Sequence, residues 1–289
     1  LRQLLYLDFC HDEDGRLALD GVLPHIAGSR SIETNWRFGQ PSYNAADSLS
    51  CTFPYTDADQ TDPVTGRTDG LLHCMRRHSQ LPKVMYTNTS CEYWASQAAL
   101  VHTSIDGRED APIPDNVRVY HFAGTQHVPA PVSLAAAVHI TGHGAYPANS
   151  IDYRPLLRAA LANLDTWATA GLEPPASRYP KLADGTLVDR ATAAKQLARL
   201  PGRGVPDHVP PFARLDFGAE AEGQRQATVV PPGFGETLPA LVAALDEDGN
   251  EKGGLRHPDV SAPLATYAGW NPRLDPNGET SLLSLTGSM

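Results

Sequence analysis

The sequence predicts an α/β protein in which a mostly parallel sheet is flanked by helices. Helical and strand-like hydrophobic patterns alternate over the first 171 residues. The stretch 117–123 is rich in valine and aromatic residues, as a buried strand should be. The stretch 153–170 puts leucines, alanines and Trp167 on one helical face and ends at Gly171. Alternation of this kind favours parallel strands, because a parallel pair needs a connection long enough for a helix.

The remaining elements of the first 171 residues follow from hydrophobic spacing and from glycine, proline and charged boundaries. Leu1, Leu4, Leu5 and Phe9 share one helical face, and the charged run that follows ends the helix. The predicted elements, in chain order, are a helix over 1–9, strands over 21–28 and 83–87, a helical segment over 91–103, a strand over 117–123 and a helix over 153–170.

Two regions depart from this alternation. Residues 29–80 have little periodicity and carry several aromatic side chains, among them Trp36 and Phe38, so we interpret 29–80 as a lid-like insertion. The same aromatic residues could instead form a small core that holds the insertion together. Residues 172–289 are rich in proline and glycine, and we predict a loop-rich C-terminal β extension that packs on the domain formed by 1–171. Short strands are predicted at 227–232, 238–245 and 262–270, with a hairpin turn at 246–251.

Composition excludes several classes of protein. The 289 residues carry 23 basic and 33 acidic side chains, a formal net charge of −10 without charge blocks. A nucleic-acid partner is not expected, since it would require a basic face. No apolar run approaches the roughly 20 residues of a membrane span. The four cysteines form no C-x-x-C pair and do not define a structural zinc site. Compartment and oligomeric state stay open.

Ligands of open α/β sheets bind beyond the carboxyl ends of the strands, so the loops that follow the predicted strands are the place to look for a site. Glu92 follows the strand at 83–87, and His127 follows the strand at 117–123. A carboxylate can fix the tautomer of an imidazole that acts as a general base, so these are the candidate catalytic residues. Asp106, Asp110 and Asp115 are competing carboxylates in a polar loop.

Other residues are candidates for the site, but their sequence patterns point less clearly to a chemical role. His25 ends a predicted strand and, with Trp36 and Phe38, is a candidate for binding substrate. Cys91 precedes Glu92 and is interpreted as a small buried thiol. His139 and His143 are spaced i, i+4, but the glutamate of H-E-x-x-H is missing and two glycines disfavour a helix.

An acid and a base make up two thirds of a nucleophilic triad, and the missing member would be a serine. In α/β-hydrolases the serine precedes the acid and the histidine, on a tight turn between a strand and a helix. The first predicted helix has no N-cap residue before Leu1. We therefore expect that this chain begins just after the nucleophile turn, and that this polypeptide alone lacks activity.

Several stretches make the chain recognisable, namely "DGVLPHIAG", "CEYW", "FAGTQH", "DYRPLLRAAL", "DEDGNEKGGLR" and "PLATYAGWN". It resembles a bacterial family of alpha/beta-hydrolase domain proteins, described as serine esterases with poorly defined substrates. The resemblance implies the C-terminal part of an α/β-hydrolase fold, with Glu92 as the acid and His127 as the base. It also implies a G-x-S-x-S-G-R segment directly before Leu1 and further sequence after Met289. Family members often carry a second cysteine that pairs in spacing with one like Cys74; it is missing here, so no disulfide is expected at Cys74.

The resulting prediction is a fragment of a serine hydrolase that acts on small-molecule carboxylic esters and needs neither cofactor nor metal. One alternative is a non-catalytic binding protein that keeps the hydrolase fold. Another is a metal-dependent hydrolase that uses His121, His127, His139 and His143.

Overall fold

A computed structural model describes residues 1–30, 37, 52–130, 144–209, 211–221, 226–274, 280–283 and 285–289. The strands are β1 (Gly21–Val22), β2 (Gln60–Thr61), β3 (Thr68–Asp69), β4 (Lys83–Thr89), β5 (Val117–Phe122), β6 (Leu187–Asp189), β7 (Phe212–Asp216), β8 (Gly233–Leu238), β9 (Leu241–Ala243), β10 (Asn271–Leu274) and β11 (Thr280–Leu283). The α-helices are α1 (Arg2–Tyr6), α2 (Ser90–Ala95), α3 (Arg154–Ala170), α4 (Arg190–Leu197) and α5 (Pro258–Ser261). Two 3₁₀ helices span Cys74–Arg77 and Ala98–Val101.

A parallel sheet in the order β1-β4-β5 confirms the predicted fold class. Val84 pairs with Val117, and Thr89 pairs with Phe122, so β4 and β5 end at the same edge. The central strand β4 is buried from Val84 to its end. Burial on both faces, typical of parallel sheets, accounts for the apolar run 84–86, whereas the last three residues, 87–89, are polar although buried.

Each face of the sheet is covered by its own hydrophobic cluster. The helix α3 ends at Gly171 in the left-handed conformation (φ 68°), as predicted, and packs Leu164 and Trp167 against the sheet. The cluster on this face contains Met85, Tyr120, Phe122, Tyr153, Ala160, Leu164 and Trp167. The other contains Leu5, Cys10, Val22, Leu72, Met75, Val84, Tyr86, Val101, Val117, Val119 and Tyr179. The sheet is thus the middle layer of the first part of the chain.

The C-terminal region consists of antiparallel strand pairs, β6 with β9, β7 with β8 and β10 with β11. It packs on the helix that follows β4: Tyr93 and Trp94 share a cluster with Val242 and Trp270. The predicted turn at 246–251 is confirmed, because an antiparallel bridge joins Leu245 to Glu251 around Gly249 (φ 76°).

Two predicted strands of this region are wrong. Residues 227–232 form no strand; Pro231 and Pro232 have no N–H to donate, and β8 begins only at Gly233. Residues 262–270 form no strand either. A Cβ on Gly269 would lie 2.3 Å from the backbone nitrogen of Cys91. Within this run only residues 267–270 are buried, where the backbone packs closely on α2 and Ala268 forms a single antiparallel bridge with Ser288; Leu264 is 98% exposed.

Helix lengths also differ from prediction. The first helix spans only Arg2–Tyr6, and Asp8 takes a left-handed conformation (φ 57°). The helical segment at 91–103 is divided into α2 and a 3₁₀ helix by Gln97, which is also left-handed (φ 52°). Within the described residues, no helix combines the length and the apolar character that crossing a membrane requires.

The described part of the 29–80 segment is attached to the C-terminal region. Phe53 and Tyr55 pack with Phe212, and Asp62 forms a bidentate ion pair with Arg214 at 2.6 and 2.7 Å. The aromatic residues Trp36, Phe38 and Tyr43 lie outside the described residues, so the lid interpretation stays a prediction.

Candidate functional site

Glu92 is held at the carboxyl end of β4 by the start of the next helix. Thr89 is the N-cap of α2, and Glu92 occupies the third helical position, which completes a capping box. The Oε2 atom of Glu92 accepts the backbone N–H of Thr89 at 2.8 Å and the Thr89 hydroxyl. The Glu92 side chain is fully buried. One carboxylate oxygen thus serves the helix cap, which leaves Oε1 for a second partner.

That second partner is His127. The Nδ1 atom of His127 lies 2.7 Å from Oε1 of Glu92, although 35 positions separate the two residues in the chain. The backbone carbonyl of His127 accepts the Tyr153 hydroxyl at 2.6 Å. The imidazole is 29% exposed, and its Nε2 has no hydrogen-bond partner among the described residues. When Nδ1–H donates to the carboxylate, the neutral ring keeps a lone pair on Nε2, as a general base requires.

His25 lies beside this pair, three residues after β1. Its Nδ1 atom is 2.9 Å from the Thr87 hydroxyl, and its ring makes an edge-to-face contact with Tyr153, with centroids 5.8 Å apart. Burial lowers the pKa of His25; the Glu92 charge opposes this shift, and His127 adds to it. His25 is therefore a neutral imidazole at the rim of the site near pH 7.

Cys91 also lies in the site but has the properties of a structural thiol. Its sulfur is within 4.8 Å of the ring nitrogen of His127 and a carboxylate oxygen of Glu92. The thiol is 1% exposed, and burial, followed by the Glu92 charge, raises its pKa well above the ordinary value. Because the thiolate is the nucleophilic form, this cysteine is poorly suited to attack a substrate. Cys10 and Cys74 are likewise free, and Cys51 lies outside the described residues.

A second cluster joins Asp8, His11 and His78 near the end of α1. The carboxylate of Asp8 contacts His11 Nδ1 at 2.6 Å and His78 Nε2 at 2.8 Å, and Arg77 at 2.7 Å. The two imidazole rings are stacked, with centroids 3.8 Å apart and 20° between their planes. A metal ion binds the in-plane lone pair of each imidazole, and stacked rings cannot direct those lone pairs to one ion. Burial would raise the pKa of Asp8, but the hydrogen bonds from the two imidazoles prevail and lower it.

The histidines of the predicted metal-dependent alternative are not assembled around one point in the described part of the chain. His121 is fully buried and contacts Glu251, whereas His127 contacts Glu92. His139 and His143 lie outside the described residues. Of the competing carboxylates, Asp106 and Asp115 are exposed, and Asp110 accepts the backbone N–H groups of Leu182 and Ala183.

The residues that hold Glu92 and His127 in place were not identified from the sequence. The T-x-x-E signature at 89–92 is a capping box visible in the sequence, and it would have located Glu92 at the start of a helix. No sequence signal indicates Tyr153 or Glu251. The predicted binding residues Trp36 and Phe38 lie outside the described residues, so His25 alone of the three can be located.

A family model described as "Alpha/beta hydrolase domain" matches residues 2–289. No curated protein and no solved structure matches the chain.

Proposed function

Because this chain belongs to the alpha/beta hydrolase family, we propose that Glu92 and His127 are the acid and base of a Ser-Glu-His triad in a carboxylic ester hydrolase. The observation that carries the proposal is the 2.7 Å contact between a fully buried carboxylate and a partly exposed imidazole. Both side chains follow the carboxyl ends of neighbouring parallel strands, where ligands bind in open α/β sheets.

The geometry supports a two-step mechanism. The Nε2 atom of His127 takes the proton of a serine hydroxyl as the serine oxygen attacks the ester carbonyl. The imidazolium that forms is stabilised by the Glu92 carboxylate and returns the proton to the departing alcohol. Water then attacks the acyl-enzyme and gives a proton to Nε2, which passes it to the serine oxygen as the acyl–serine bond breaks and the carboxylic acid leaves. Backbone N–H groups would stabilise the oxyanion, one of them on the residue after the serine.

We propose that the serine is supplied by sequence on the N-terminal side of α1. In this fold the nucleophile precedes the acid and the histidine along the chain. Ser90 is the serine nearest in sequence to Glu92, but it is 1% exposed, and its hydroxyl accepts the Gly269 N–H at 3.2 Å. Ser90 is therefore part of the packing between α2 and the C-terminal region.

The substrate is proposed to be a small-molecule ester. His25 presents a neutral imidazole beside the pair, so it can donate or accept a hydrogen bond without placing a charge next to the acyl group. Trp36 and Phe38 are proposed to supply an apolar surface for the acyl chain. No cofactor is required for this chemistry.

The test is hydrolysis of short p-nitrophenyl esters by the full-length protein that contains this chain. We expect turnover that a metal chelator does not reduce, and no turnover by residues 1–289 alone. Turnover abolished by the chelator would favour the metal-dependent alternative. Saturable ester binding without turnover in the full-length protein would favour a binding protein instead.

A further inference from the structure

A buried carboxylate lies at the base of the loop that carries His127. The Oε2 atom of Glu251 accepts Nε2–H of His121 and the backbone N–H of Gly124, both at 2.7 Å. Glu251 is 2% exposed and His121 is fully buried. Burying a carboxylate is costly unless hydrogen-bond donors satisfy it. These two hydrogen bonds therefore fix the position of the Glu251 side chain.

The loop between β5 and His127 is held by residues from later in the chain. Glu251 binds the N–H of Gly124, and the Asn149 side chain donates to the Gly124 carbonyl at 2.7 Å. The Gln126 side chain accepts the Gly287 N–H at 2.7 Å. Gly124 is left-handed (φ 67°), so the chain turns sharply at the residue that Glu251 holds.

A close backbone approach brings Glu251 to this position. The segment 251–255 runs alongside β5, where Leu255 N–H donates to the His121 carbonyl at 2.7 Å and the Leu255 carbonyl accepts Ala123 N–H at 3.0 Å. Gly254 makes this possible, since a Cβ there would lie 2.5 Å from the His121 carbonyl oxygen. The end of β5 and the carboxylate are thus fixed relative to each other.

The Glu251 carboxylate is the hydrogen-bond partner on which the His121 ring depends. Nε2 of His121 contacts Oε2 of Glu251, whereas Nδ1 is buried without a partner among the described residues. The same carboxylate oxygen accepts the N–H of Gly124. Removing the carboxylate would leave two buried N–H donors unsatisfied, one of them three residues before His127.

We propose that Glu251 is a positioning residue for the imidazole. It fixes Gly124, and through the short loop it holds His127 so that Nδ1 meets Glu92. Its effect on catalysis rests on the proposed function, but its effect on the His127–Glu92 hydrogen bond does not.

The first test uses the full-length protein that contains this chain and proton NMR of its histidine rings. The wild-type chain should show a low-field Nδ1–H resonance of His127 that is missing in His127→Ala. Glu251→Ala should broaden or abolish this resonance. Glu251→Gln should retain it, because the amide oxygen can accept both N–H donors. Should the alanine variant not fold, Glu251→Asp keeps the charge but withdraws the carboxylate from Gly124, and a weakened resonance is expected.

The second test measures ester hydrolysis by the full-length protein. Glu251→Ala should lower kcat by about 10- to 100-fold, the range expected for a catalytic group misplaced by about 1 Å, with KM changed less than about twofold. Glu251→Gln should stay within about threefold of wild type. The matched control is Asp110→Ala, which also removes a carboxylate that accepts two N–H groups, those of Leu182 and Ala183, but leaves the loop of His127 intact. It should lower Tm without changing kcat or the His127 resonance.

Folded Glu251→Ala or Glu251→Asp protein with an unchanged His127 resonance would overturn the proposal. A full-length protein without esterase activity, whose resonance nevertheless responds as described, would instead refute the proposed function and leave the positioning role intact. The two failures are therefore distinguishable.

Discussion

Replacing His127 with alanine in the full-length protein should lower kcat for p-nitrophenyl ester hydrolysis by a factor on the order of 10⁴ to 10⁶. The variant would lack the group that takes the proton from the nucleophile and returns it to the leaving alcohol. His127 is partly exposed, and its side chain makes one hydrogen bond within the described residues, so the variant should fold. Undiminished turnover would rule out His127 as the base.

Glu92→Gln separates chemistry from structure at the same site. Glutamine is compatible with a capping box, so α2 should keep its start. Its amide N–H₂ would face Nδ1 of His127 and favour the tautomer with hydrogen on Nε2, which cannot accept a proton from serine. The expected loss of kcat is about 10⁴-fold, as for other triads whose acid is made an amide. The matched control is Glu109→Gln, at an exposed acid in the connection between α2 and β5, and it should leave kcat unchanged.

The second large effect concerns stability and pH, and it lies at Asp57. This carboxylate is 1% exposed; Oδ1 accepts the Tyr86 hydroxyl at 2.7 Å, and Oδ2 has no partner among the described residues. Burial raises the pKa of Asp57 from 3.8 to about 6, although Tyr86, Arg2 and Arg76 oppose the shift. The folded state therefore binds this proton more tightly than the unfolded chain does.

The direction of the pH dependence follows from the coupling between proton binding and folding. A carboxyl group whose pKa is raised by folding contributes stability that is fully present below about pH 3.8 and is lost as the pH rises through about 6. The gap between those two values, at about 1.4 kcal/mol per pH unit, corresponds to about 3 kcal/mol. Asp57→Asn removes this dependence, because asparagine is neutral throughout the range.

The measurement is urea unfolding of wild type and Asp57→Asn at pH 4 and pH 7.5. The variant should gain about 2 kcal/mol relative to wild type between the two values, less than the full difference because the unfolded carboxyl is already more than half ionised at pH 4. Comparing the two proteins at each pH cancels the titration of other groups. Asp165→Asn, at an exposed position of α3, controls for removing a carboxylate and should show no such gain. An Asp57→Asn difference that is constant with pH would contradict the raised pKa.

The sheet was predictable because its signals are local. The strands β4 and β5 each contain several valine, methionine or aromatic residues within seven positions, and α3 carries its amphipathic face and its terminal glycine within 18 residues. The prediction of a strand over residues 262–270 was wrong for the opposite reason. Only residues 267–270 of this run are buried, by packing against α2 about 170 positions earlier, and pattern alone cannot distinguish that burial from strand pairing.

The residues of the candidate site also fall into two groups, those that local sequence patterns predict and those that they do not. Glu92 and His127 could be found from sequence, since each follows a recognisable strand and parallel strands end at one edge. Tyr153 and Glu251 could not, because their contacts with the His127 loop span 26 and 127 positions and depend on how later segments pack. Local patterns indicated the two candidate catalytic residues, whereas tertiary packing determines which residues contact them.

The most direct test of the central claim is to map where a fluorophosphonate attaches to the full-length protein, by peptide mass spectrometry. This reagent traps an activated serine as a covalent adduct. We predict one adduct, on a serine N-terminal to α1, and its loss in both His127→Ala and Glu92→Gln. An adduct on Cys91, or serine labelling that persists in both variants, would contradict the assignment of Glu92 and His127 as its acid and base.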